Sequence, residues 1–216
     1  KCEIRDDSIA IICAGIPWLE RLETPLISLL TSEATRSIAK HLTSLNFLNM
    51  DDVPIGDDGV ITLSGMQSIR TLSISNLESS VVSCKATLLG INTLVNRMKL
   101  LKHLHIGASD VVVKMNTQFT LFANNANNWA GFSLDEETIE AIIKNLRRLR
   151  LLNLASTGLQ DWQLLRLMEG LPDNINSGWV MAYNYKDHNW LPEDFLESMR
   201  AMRPDIELTT QQDTQE

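Results

Sequence analysis

The chain has 216 residues, a formal charge of −8 and a hydrophobic fraction of 44%, enough for one sizeable core or a short repeat array. That acidic balance argues against a nucleic-acid surface, which needs clustered Lys and Arg to neutralise phosphates. No apolar run reaches the roughly 18 residues of a membrane helix, so no membrane partner is expected. The cysteines, Cys2, Cys13 and Cys84, are odd in number and lack C-x-x-C spacing, which indicates neither a disulfide framework nor structural zinc. With no Asn-x-Ser/Thr acceptor either, an intracellular setting, cytoplasmic or nuclear, is expected.

Taken in order, Asp7 to Gly15 reads as a helix with Asp7 or Ser8 as its N-cap, ended by Pro17. Leu19 to Thr24 follows as a strand. Thr31 or Ser32 caps a second helix, SEATRSIAKHL, whose first turn carries Glu33 near the positive helix end. Leu45 to Met50 is the next strand. Ile55-Gly56-Asp57-Asp58-Gly59-Val60 reads as a turn before Ile61, Leu63 and Met66, and Ile69 to Ile74 as its strand. A fourth, longer helix is predicted over 83–99, followed by the strand Leu101 to Ile106.

Between Asp110 and Phe132 the pattern breaks, and the asparagine-rich run 124–128 signals a loop. An insertion over about 108–132 is predicted there. Leu134 to Leu164 then gives the sharpest unit. Ile139, Ile142, Ile143 and Leu146 share one helical face, and Leu149, Leu152 and Leu154 form a Leu-x-x-Leu-x-Leu strand. Trp162 to Leu171 is a further helix, Trp179 to Tyr183 a degenerate strand, and Pro192 to Met202 a last helix before Ile206 to Leu208. Residues 209–216 read as a disordered tail.

The first strand leucines or isoleucines, Leu19, Leu45, Ile69, Leu101 and Leu149, lie 26, 24, 32 and 48 residues apart. Two of these spacings fall in the leucine-rich-repeat range; the third is assigned to a lengthened helix and the fourth to the insertion. A doubly wound α/β sheet is the alternative, but it would want a Gly-rich phosphate loop after a strand, and none is present.

The strand signal and the Ile55 to Val60 turn together resemble the ribonuclease-inhibitor-like leucine-rich repeats, a family that includes F-box substrate arms and Ran GTPase activators. The resemblance is sharp at 45–74 and 134–165. It departs from the family at the position often filled by Asn or Cys, here Val53, Leu77, Ser109 and Thr157. The implied fold is an irregular α/β solenoid over 1–208, a short horseshoe with parallel strands on the concave face and helices on the convex face.

In such a fold the leucines point inward and the intervening residues outward, in columns. One column reads Arg21, Phe47, Thr71, His103, Leu151, and its neighbour Glu23, Asn49, Ser73, His105, Asn153. These ten residues are the predicted partner-binding face, with Phe47 and Leu151 expected to be exposed apolar anchors. His103 and His105 share a side, but a metal would need further ligands that only Glu23 or an insertion residue could supply, so no metal or other cofactor is predicted. A small-molecule ligand is not expected. Gly-x-Ser-x-Gly and His-Glu-x-x-His are both absent, and Asp51-Asp52 and Asp57-Asp58 read as capping acids, which points away from an enzyme. Trp162, Trp179 and Trp190 are expected to cap the C-terminal end, with a partner patch there as the alternative. The function expected is non-enzymatic protein binding on the concave face. By resemblance, the alternatives are the substrate arm of an F-box ubiquitin ligase or a pathogen effector, and a small-GTPase regulator.

Overall fold

In a computed structural model, residues 3–75, 86–106, 134–154, 159–171, 178–181 and 193–209 are described. Helices and strands alternate throughout: α1 (Asp6–Gly15), β1 (Arg21–Glu23), α2 (Ser32–His41), β2 (Phe47–Asn49), α3 (Gly56–Leu63), β3 (Thr71–Ser73) and α4 (Leu88–Arg97), followed by β4 (His103–His105), α5 (Glu136–Asn145), β5 (Leu151–Asn153), α6 (Asp161–Gly170), β6 (Gly178–Met181), α7 (Glu193–Met202) and β7 (Ile206–Thr209). The strands form one parallel sheet in chain order, β1 to β7, each paired with its sequence neighbours. The helices form a second layer, in which α1 to α6 each pack on the next. This is a repeating, solenoid-like α/β architecture, in which each unit buries its apolar face against its neighbours.

Each unit is built the same way. The central strand leucines Leu22, Leu48, Leu72, Leu104 and Leu152 stand in register. Four of them, from Leu48 to Leu152, are at most 1% exposed. The leading residue of each strand segment, Leu45, Ile69, Leu101 or Leu149, is buried beside them. On the helix side, Ile38, Leu94, Ile142 and Leu167 occupy equivalent positions, all fully buried. Burying such a side chain stabilises the fold by about 1.5–3 kcal/mol.

The strands are only three or four residues long, shorter than the six-residue runs the sequence suggests, but the ladder continues past them. Met50 N–H donates to Ser73 O at 2.8 Å, Ile74 N–H to His105 O at 3.0 Å and Ile106 N–H to Asn153 O at 3.2 Å. The turns repeat as well: Leu26 and Asp52, twenty-six positions apart, have φ of 61° and 59°.

Several boundaries move. The first helix starts at Asp6 with Arg5 as its N-cap, not Asp7 or Ser8, and Ser8 instead answers as the third residue of a capping box. Thr31 caps α2 as expected, accepting from Glu33 N–H at 3.2 Å. The run Ile55 to Val60 is the entry of α3 rather than a free turn: Gly56 has φ 58°, a conformation that favours glycine, and helix begins there. The fourth helix is not lengthened. Thr87 is its N-cap and Leu88 its first residue, so α4 has ten residues, and the longer spacing of that unit falls before Ala86.

Two acids at helix starts, Asp57 and Asp6, join neighbouring units. Asp57, in the first turn of α3, accepts from Thr87 N–H and Thr87 Oγ1, both at 2.7 Å, and from Gly90 N–H at 3.1 Å. A Cβ on Gly90 would lie 2.5 Å from Asp57 Oδ1, so only glycine admits this approach. Asp6 does the same for α2, accepting from Thr31 N–H at 2.9 Å and Thr31 Oγ1 at 2.7 Å. At the other end, Arg203 donates from Nη1 to the carbonyls of Met168 and Leu171, each at 2.8 Å, and pairs with Asp205. Arg203 therefore ties the end of α6 to the turn between α7 and β7. Trp162, expected in a tryptophan cap, is instead 50% exposed, and Trp190 lies outside the described residues.

Cys13 is buried in α1 as a small core residue, while Cys84 lies outside the described residues. So do the predicted insertion, the tail beyond Thr209, and Leu77, Ser109 and Thr157. Val53 is 3% exposed in the core cluster.

Candidate functional site

Parallel pairing in strict register brings the predicted residues together on one face. Arg21 pairs with Phe47, Phe47 with Thr71, Thr71 with His103 and His103 with Leu151; Glu23, Asn49, Ser73, His105 and Asn153 pair in the same sequence. All ten stand in two ladders on the side of the sheet away from the core leucines, because side chains alternate along a strand. The ladders run two strands further than the sequence pattern showed: Trp179 is in register with Leu151 and Met181 with Asn153, then Glu207 with Trp179 and Thr209 with Met181. The signal was there in Trp179-Val180-Met181, whose middle residue fills the leucine position.

Burial along these ladders is uneven, and this corrects one expectation. Phe47 and Leu151 are not exposed anchors; each is 8% exposed. The Arg21 guanidinium lies 3.6 Å from the centroid of the Phe47 ring, a stacked cation–π contact that covers one face of the aromatic. Strands in a sheet lie about 4.8 Å apart, so residues in one ladder touch and shield each other. Arg21 and Glu23 are exposed and joined by a 2.7 Å ion pair, while Asn49, Thr71 and His103 are half-buried. Ser73, His105 and Asn153 are each 6% exposed. Among the described side chains of β1 to β5, the solvent-facing part of the ladders is therefore the β1 to β4 end.

The polar groups here are organised by hydrogen bonds. His103 Nδ1 lies 2.9 Å from Thr71 Oγ1, which fixes the ring across two strands. Burial, followed by the charges of Arg150 and Lys102, holds the His103 pKa below the ordinary imidazole value. His105 is held lower still, to about 4, by burial and then by His103, so both rings are neutral at pH 7. Asp51, just beyond β2, is 6% exposed and accepts from Ser73 Oγ at 2.7 Å and Ser75 N–H at 2.8 Å. Burial outweighs those bonds and raises its carboxyl to about 6. The sequence marked Asp51 only as a turn acid; its contact with the second ladder depends on the register between β2 and β3.

Arg147, Arg148 and Arg150 lie at the turn from α5 to β5, and all three are exposed. Arg147 donates to the Ile143 and Gly170 carbonyls, closing helix ends. Among the described residues, no group of three or more His, Cys, Asp or Glu could hold a metal ion, and no helix is long and apolar enough to cross a membrane. No protein-family model matches the sequence, and no curated protein matches it.

Proposed function

We propose that the chain is an irregular leucine-rich-repeat solenoid that binds a partner protein on the concave, strand side. The observation that carries this reading is the register, which sets side chains of five consecutive strands in two ladders on one face. The leucine-rich-repeat assignment draws on the inward leucines, on the alternation of strand and helix, and on the resemblance of 45–74 and 134–165 to that family.

Contact falls to Asn49, Thr71 and His103, with Arg21 and Glu23 at the sheet edge. Phe47, Ser73, His105, Leu151 and Asn153 serve as the packed floor beneath. An amide, a hydroxyl and a neutral imidazole offer directional hydrogen bonds, and the floor limits the side-chain entropy lost on binding.

The test is capture of a protein partner from cell lysate by the parent chain, by Asn49→Arg/His103→Glu, and by Lys40→Glu/Lys144→Glu on the helix side. The parent and the helix-side variant should retain the partner, and the strand-side variant should lose it. Equal capture by all three would reject the strand face as the binding surface.

A further inference from the structure

Exposed cations gather where the chain passes from helix to strand in the units of β4 and β5. The stretches 98–103 and 146–151 hold Lys99, Lys102, Arg147, Arg148 and Arg150, all exposed, and no acid, in a chain whose formal charge is −8. Backbone bonds stack the residues just ahead of each strand into a third ladder. Asn46 N–H donates to Glu20 O at 2.9 Å, Arg70 N–H to Asn46 O at 2.8 Å, Lys102 N–H to Arg70 O at 2.7 Å and Arg150 N–H to Lys102 O at 2.6 Å. Three cations therefore follow an acid and an amide. Like charges side by side on neighbouring strands cost stability, and the units that carry Glu20 and Asn46 fold without them. Arg70 spends its Nη1 on the carbonyls of Gln67, Ser68 and Ile69. Lys99, Lys102, Arg148 and Arg150 have no side-chain hydrogen bond or ion pair among the described residues, whereas Arg5, Arg21, Arg36 and Arg166 each have a carboxylate partner. After burial, the charges of Arg150 and Lys102 hold the His103 pKa down, so both cations lie within electrostatic reach of the strand face.

We propose that this edge docks an acidic segment of the partner protein, a run of Asp and Glu whose carboxylates neutralise Lys102 and Arg150 and, beyond them, Lys99 and Arg148. The inference rests on the strand-side reading above and adds the partner's charge to it. Neutralising the stacked cations relieves a repulsion that the free chain carries, so complementary charge here favours binding and speeds encounter. A protein segment fits better than a nucleic acid. The patch spans only two units, the excess negative charge of the whole chain repels a long polyanion, and neither stretch holds a Phe, Tyr or Trp on which bases could stack.

Fluorescence anisotropy of the full chain with three labelled probes, decaglutamate, decaglutamine and a thymidine decanucleotide, tests this, with circular dichroism confirming the fold of each variant. Decaglutamate should bind, and its affinity should fall as salt rises. Lys102→Gln/Arg150→Gln should weaken it by about tenfold. Arg36→Gln/Lys40→Gln, the same change of charge on α2, should leave it unaltered. Four results would overturn the proposal: no binding of decaglutamate, equal binding of decaglutamine, tighter binding of the nucleotide, or the same loss from both double variants. Because the peptide is supplied, its failure to bind counts against the acidic segment alone. Retained lysate capture by Asn49→Arg/His103→Glu would instead count against the strand-side reading.

Discussion

Asp51 and Ser73 are joined by a 2.7 Å hydrogen bond that links the turn after β2 to the neighbouring strand, inside a site only 6% exposed at either residue. The carboxylate also receives Ser75 N–H, so one side chain organises the start of the turn after β3. Because its pKa is raised to about 6, the folded state binds a proton more tightly than the unfolded chain does.

The sign of the resulting pH dependence is fixed. As pH rises from the ordinary carboxyl value toward 6, Asp51 ionises in the unfolded chain before it does so in the folded one, and stability falls, by roughly 3 kcal/mol in full. His105 acts oppositely. With its folded pKa lowered to about 4, stability falls as pH drops from 6.5 toward 4, by a similar amount. The two contributions offset each other in the parent. Urea denaturation of Asp51→Asn and His105→Gln between pH 4 and 7 should separate them: relative to the parent, Asp51→Asn gains stability as pH rises, and His105→Gln gains it as pH falls.

The acid caps give a graded prediction. Asp57 satisfies two backbone N–H groups and one hydroxyl of the next unit, whereas Asp6 satisfies one N–H and one hydroxyl. Asp57→Ala should cost about 2–3 kcal/mol and Asp6→Ala about 1 kcal/mol. Thermal melts of the two variants check the order, and an equal or reversed loss would show that the inter-unit caps contribute little.

Much of this was legible in the sequence because it is local. The 26- and 24-residue spacings, the strand leucines and the Thr31 cap depend on patterns within one unit, and Leu48, Leu72, Leu104 and Leu152 fall where periodicity puts them. The ladder order followed from counting alone, since in-register stacking adds nothing the leucines do not already set. Exposure was not legible. Whether Phe47 is an anchor or a floor depends on Arg21 lying across it from another strand, and no single-strand pattern carries that. The fourth unit was misjudged for a related reason: apolar residues ahead of Thr87 extend the periodicity, but the N-cap at Thr87 sets the helix start.

The corrected burial has its own consequence. Phe47→Ala removes a ring that is 8% exposed and should destabilise the fold by about 2–4 kcal/mol. His103→Ala removes a half-buried ring with one side-chain bond and should cost about 1 kcal/mol. Chemical denaturation distinguishes the two, and a loss at Phe47 no larger than at His103 would return Phe47 to the solvent-facing set.

The proposed role stands on which surface a partner covers. Hydrogen exchange read by mass spectrometry, on the chain alone and in complex with a captured protein, tests that directly. The account predicts added protection concentrated in the segments 46–50, 70–74 and 102–106 that carry Asn49, Thr71 and His103, with α2 to α5 unchanged. Protection confined to those helices, with the strand segments unchanged, would contradict it.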